Sequence, residues 1–102
     1  MDEWSREKLE GFIENQGSGL IYLYTPFCGT CQVAGKMLSV AEELIPEIAV
    51  GRINLNYMSE LARQWEVESV PCLVFLQEGI MVDKLYAFQS VPFLLQKIKS
   101  CF

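Results

Sequence analysis

Apolar and polar positions recur along this chain with two periods, and the places where the period changes mark its elements. Residues 5 to 16 carry Leu9, Phe12 and Ile13 at helical spacing among charged neighbours, and Gly-Ser-Gly at 17 to 19 ends the pattern. A first amphipathic helix is expected there. The run at 20 to 24 is continuously apolar and rich in β-formers, as in a strand covered on both faces. From 28 to 45, Ala34, Met37, Leu38, Ala41, Leu44 and Ile45 share one helical stripe, and Pro46 stops it. Residues 47 to 56 read as a second strand. Met58, Leu61, Ala62 and Trp65 then follow at i, i+3, i+4 and i+7 of a short helix. Residues 72 to 76 form another apolar strand, 77 to 79 a tight turn, and 80 to 88 the returning arm of a hairpin. Ser90 caps a last helix, with Pro92 in its first turn and Val91, Leu94, Leu95 and Ile98 on its buried side.

The predicted order is α-β-α-β-α-β-β-α. A right-handed crossover sets the first two strands side by side in parallel, and the hairpin completes a four-stranded mixed sheet with helices on both faces. Neither linker nor repeat interrupts the pattern, and 102 residues suit one α/β domain spanning 1–102.

Composition narrows the function. Hydrophobic residues make up 51% and charged residues 21%, enough apolar material to fill a core. Thirteen acidic against eight basic residues leave a net charge of -5 with no cationic cluster, which argues against a nucleic-acid partner. The polar start lacks the basic-then-apolar pattern of a secretory signal, and no stretch approaches the roughly 20 apolar residues of a membrane span. A cytoplasmic monomer without membrane contact is expected. In a reducing cytosol the four cysteines are not structural staples. There is no histidine, which removes every imidazole-based nucleophile and every His-containing zinc site.

The chemistry concentrates at "TPFCGTCQ", residues 25 to 32, between the first apolar strand and the following helix. Loops at the carboxyl ends of strands are the functional ones in an open α/β sheet, and a helix N-terminus favours a thiolate over a thiol. Cys28 is placed to be a nucleophile. Two intervening residues in a first helical turn bring Cys31 close enough to attack a mixed disulfide on Cys28. The metal alternative needs four ligands, and Cys28, Cys31, Cys72 and Cys101 supply that number. Against it, a second C-x-x-C is missing and Cys101 lies in the terminal helix. Redox exchange is the better reading, with no metal and no cofactor beyond the dithiol. Cys72, inside an apolar strand, reads as a small buried hydrophobe, with a third redox partner as the sharper alternative.

With Cys-Gly-Thr-Cys after a buried strand, Val70-Pro71 opening the next one, Gly79 in the hairpin turn and this element order, the sequence resembles the thioredoxin family. The resemblance covers essentially the whole chain, although the family's extra N-terminal strand is not visible. It implies a thioredoxin fold and a protein-disulfide reductase, with Cys28 attacking and Cys31 resolving. It also implies a cis Val70-Pro71 bond facing the pair and a recognition role for Val70. Thr25, Phe27, Val70 and Pro71 are expected to form an apolar docking platform around the Gly29-Thr30 loop. A reductase or a low-molecular-weight thiol would recharge the pair. The glutaredoxin variant of the fold fits less well, since no cationic groove for glutathione carboxylates is visible.

Four positions depart from the family pattern. Phe27 replaces a tryptophan, Thr30 a proline, Gln32 a basic residue and Tyr22 a buried aspartate that assists proton movement at the second cysteine. A tyrosine ionising near 10 cannot serve as that base. These departures keep open a second class, a redox sensor or binding module that retains the fold without turnover.

Overall fold

The computed structural model describes all 102 residues. Five strands, β1 (Asp2–Glu3), β2 (Gly19–Tyr24), β3 (Ala49–Asn54), β4 (Cys72–Gln77) and β5 (Ile80–Leu85), form one sheet in the order β1-β3-β2-β4-β5. The pairs β1–β3 and β3–β2 are parallel, whereas β2–β4 and β4–β5 are antiparallel. Helices α1 (Arg6–Glu14), α2 (Gly29–Glu43), α3 (Glu60–Gln64) and α4 (Val91–Cys101) complete the order, with a 3-10 turn at Leu55–Tyr57 ahead of α3.

The period of two along the central strands divides the core into two layers. Leu20 and Tyr22 of β2, with Leu73 and Phe75 of β4, pack beneath Ala34, Leu38 and Ala41 of α2 and Leu94 and Ile98 of α4. Their neighbours Ile21, Leu23, Cys72, Val74 and Leu76 point to the opposite face, against Leu9 of α1 and Leu61 of α3. Because β2 and β4 are covered on both sides, they read as unbroken apolar runs.

The sheet has one strand more than the sequence predicts. Strand β1 is two exposed, charged residues long, too short to show any alternation, and it exists by pairing Asp2 with Gly51 and Glu3 with Arg52. Trp4 anchors it. A Cβ on Gly51 would lie 2.3 Å from the Trp4 ring, so glycine is what lets the indole lie flat on β3. The hairpin arm also ends earlier than predicted, at Leu85 rather than at residue 88. Phe88 is buried and continues the apolar alternation, but Gln89 adopts φ 61° and turns the chain into α4, whose N-cap Ser90 accepts the Phe93 N–H at 3.2 Å.

Between β4 and β5, Glu78 (φ 52°) and Gly79 (φ 79°) form a two-residue turn with both residues left-handed. Its backbone is tied to the α1–β2 connection, Gly79 N–H donating to Gly17 O at 2.9 Å and Glu78 N–H to Ser18 Oγ at 2.9 Å.

Candidate active site

Strand β2 delivers its C-terminal end to the loop 25–28, and Cys28 is the N-cap of α2. Extended backbone at Cys28 (φ -121°, ψ 105°) turns its side chain back over the first helical turn, so Sγ accepts the Cys31 N–H at 3.2 Å. A sulfur takes the place usually filled by a Ser, Thr, Asp or Asn oxygen. Thr30 Oγ1 lies 3.3 Å from the same sulfur. The Cα atoms of Cys28 and Cys31 are 5.1 Å apart and the two sulfurs are joined as a disulfide. The members of the pair are unequal: Cys28 is half-buried, whereas Cys31 is only 4% exposed, tucked under the first turn of α2.

Tyr22, near the C-terminal end of β2, reaches the underside of this turn. Its hydroxyl donates to the Cys31 carbonyl, and its ring stacks on Tyr24 at 5.9 Å and meets Phe88 edge-on at 6.0 Å. Burial, reinforced by the neighbouring Tyr24, pushes the Tyr22 phenol up to about 12 against a weaker opposing pull from Arg52. It is therefore a neutral hydrogen-bond donor throughout the neutral range. Tyr24 donates in turn to Glu3 Oε1 at 2.6 Å, and the same oxygen takes Arg52 Nε at 3.0 Å. Burial, followed by that bond to Glu3, raises the Tyr24 phenol to about 12 as well.

The Val70-Pro71 bond is cis, as the resemblance implies. Pro71 lines a groove of about 470 Å³ with Gly29, Thr30, Val33, Ala34 and Met37 on one wall and Tyr86, Ala87, Phe88 and Gln89 on the other. Of the four expected platform residues, Pro71 alone lines this groove. Thr25 and Val70 share a different hollow of about 350 Å³ beside the 3-10 turn, and Phe27 stands fully exposed without lining either. The 86–89 wall is hidden in the sequence because residues 86 to 88 read as the end of a strand. Its one signal is the crowding of two aromatics just before the Ser90 cap. A third hollow, about 560 Å³, opens behind Cys31 between Tyr22, Tyr24, Lys36, Ser39 and Arg52.

Cys72 is fully buried on the α1/α3 face of the sheet. Burial pushes its thiol up to about 11, with Lys84 as the main opposing influence. Cys101 is half-buried in α4, and its carbonyl accepts the Gln77 side-chain amide. No group of three or more Cys, Asp or Glu side chains converges closely enough to hold a metal ion.

Comparison with known proteins gives a consistent likeness. The thioredoxin family model matches residues 2–100. The thioredoxin-like protein YusE of Bacillus subtilis (strain 168) is 50% identical over 80 residues, 78% of this chain and 76% of that protein. A thioredoxin of Chlamydia pneumoniae is 28% identical over 94 residues, 92% of this chain and 91% of its own. Among solved structures, a point-mutant thioredoxin from Halobacterium salinarum NRC-1 superposes with a TM-score of 0.83 at 24% identity, covering 99% of this chain and 88% of that one. The oxidized mitochondrial thioredoxin 3 of Saccharomyces cerevisiae gives 0.83 at 18% identity, covering 98% and 94%.

Proposed function

The chain belongs to the thioredoxin family and is a thiol-disulfide oxidoreductase; from that premise we propose that it reduces disulfides in proteins, with Cys28 attacking and Cys31 resolving. The observation that carries the division of labour is the unequal burial of a bonded pair at one helix N-terminus. The half-buried sulfur meets the substrate, and the enclosed one waits beneath it.

The cycle balances as two exchanges. The Cys28 thiolate attacks one sulfur of the substrate disulfide, forming a mixed disulfide and expelling the other substrate sulfur as a thiolate that takes a proton from water. The Cys31 thiol loses its proton and attacks the Cys28 sulfur, releasing the second substrate thiolate. The substrate has gained two electrons and the pair has become the disulfide. A reductase dithiol or two equivalents of a small thiol return those electrons.

The groove beside the pair supports a protein as substrate. Val33, Pro71 and Ala87 offer apolar surface to side chains, and the backbone ahead of Pro71 is available to an extended segment, as in strand-addition recognition. Val70 is the recognition position in this reading, and Thr25 and Phe27 extend the contact past the groove. The protein works as a monomer, and no resident cofactor enters the cycle.

Incubating a Cys31→Ser variant with cell extract tests this: it accumulates mixed disulfides on Cys28, whereas Cys28→Ser does not. Wild type with excess dithiol accelerates reduction of a protein disulfide. Absence of both effects, with a redox-dependent affinity for a partner instead, overturns the reductase reading in favour of a sensor.

A further inference from the structure

The apolar stripe that the sequence assigns to α2 divides into two in the fold. Ala34, Leu38, Ala41 and Ile45 are buried in the core, whereas Val33, Val40 and Leu44 are 57%, 51% and 60% exposed and Met37 is half-buried beside them. Val33, Met37, Val40 and Leu44 follow one another at intervals of four, three and four residues, with Leu44 still in right-handed helical backbone at the C-cap. That alternation is the one by which a helix presents a continuous seam to a second helix. A contiguous apolar row rimmed by charge marks an interaction surface. Lys36 and Glu43 lie along one side of the row, both exposed and neither in an ion pair within the chain.

We propose that this row is a self-association surface, on which α2 packs antiparallel against α2 of a second copy of the chain, about a two-fold axis between residues 37 and 40. Run against its own reverse, the row is self-complementary. Val33 meets Leu44 of the partner subunit, Met37 meets the partner's Val40, and both pairs repeat across the axis. The flanking charges single out this orientation. In an antiparallel seam the residue preceding Met37 lies beside the residue three past Val40 of the facing helix, which sets Lys36 against the partner's Glu43 twice over. In a parallel seam Lys36 would instead face Ala41, which is already buried in its own fold, and the complementarity would be lost. One sequence supplies both halves of every pair, so the occupant is a second copy rather than a foreign helix. Association also reaches the exchange site. Val33 belongs to the groove beside the dithiol, and Leu44 of the partner subunit resting on it narrows the entry for an extended substrate. The dimer is thus a resting form and the monomer the working one, a consequence that, unlike the association itself, rests on the reductase reading.

Sedimentation velocity of the full chain over a micromolar-to-millimolar series tests the surface, in excess dithiol so that no intermolecular disulfide contributes. Wild type shifts from monomer to dimer as the concentration rises. Val40→Glu, which sets two carboxylates into the seam beside the axis, weakens association by about tenfold or more. Lys36→Glu, which faces like charges across the seam, weakens it by about threefold or more. The double variant Lys36→Glu/Glu43→Lys reverses both charges at unchanged net charge and returns to within about twofold of wild type. All of these positions are exposed, so the core stays intact. Wild type that remains monomeric throughout the series, or Val40→Glu that associates as wild type does, overturns the proposal. A double variant no tighter than Lys36→Glu alone overturns the antiparallel arrangement. Turnover is read separately: the rate of protein-disulfide reduction per molecule falls through the association range in wild type and stays constant in Val40→Glu. A wild-type rate that stays constant overturns the resting role of the dimer. A wild type that reduces no protein disulfide at any concentration removes the reductase reading and leaves the sedimentation test intact.

Discussion

At Tyr22 one side chain sits where the family keeps an acid, and its surroundings determine what it can do. A carboxyl buried there would be raised by desolvation into the range where it trades protons with a thiol. The phenol is raised too, but from 10.0 to about 12, and leaves that range altogether. What remains is its hydrogen bond to the Cys31 carbonyl, a contact that ties the first turn of α2 to the sheet. Between pH 6 and 9 the rate of exchange should thus follow the cysteine thiols alone. Tyr22→Phe keeps the wild-type profile while losing about 1 kcal/mol of stability with the hydrogen bond. Tyr22→Asp introduces an additional ionisation into the same window. Profiles for wild type and Tyr22→Asp that coincide would exclude any effect of this position on proton transfer. The replacement of acid by phenol was legible in the sequence, and so was its consequence for base catalysis. The bond to the Cys31 carbonyl was not, because it depends on how closely the first turn of α2 packs onto β2.

Among the elements, those with a full period were legible and those without one were not. Helices α1, α2 and α4 each carry two or more turns of apolar stripe, and β2 and β4 carry runs that nothing else explains. Strand β1 has two residues and no pattern, and the end of β5 is decided by one left-handed residue, Gln89, rather than by polarity. The β4–β5 turn combines both kinds of information. Glycine at residue 79 signals a turn, but only the fold shows that a Cβ there would lie 2.5 Å from the Ile13 carbonyl in addition to requiring φ 79°. Gly79→Ala is accordingly expected to cost about 2 to 4 kcal/mol, the sum of a left-handed penalty and a steric one. Urea unfolding would read it as a lower midpoint with unchanged slope. A midpoint within error of wild type would mean that the turn and the end of α1 move apart at no cost.

Over the whole molecule, the sheet separates the cysteines into two layers of different exposure. The exchanging pair opens to solvent at the edge of the α2/α4 layer, while Cys72 lies fully buried in the α1/α3 layer. Cys72, Tyr22 and Tyr24 all hold folded values above their ordinary ones, about 11, 12 and 12 against 9.0, 10.0 and 10.0. For groups raised in this sense the contribution to stability is complete below the unfolded value and is lost as pH climbs through the folded one. Stability is therefore flat with respect to these three groups up to about pH 9 and falls between about 9 and 12. In Cys72→Ala the fall begins near pH 10 instead, which chemical denaturation across that range would detect. An unchanged onset would mean that the Cys72 thiol ionises without unfolding. The layering itself was legible from the double-sided strands; which face each cysteine joined followed only from the register of β4 on β2. No helix is long and apolar enough to cross a membrane. The same separation has an optical consequence. Phe27 occupies the position before Cys28, and both indoles, Trp4 and Trp65, belong to the layer on the far side of the sheet from α2. Tryptophan emission in this protein is therefore expected to follow the integrity of the α1/α3 layer rather than the state of the dithiol. Unfolding and oxidation, which share one signal when an indole adjoins the cysteines, can here be followed as independent channels.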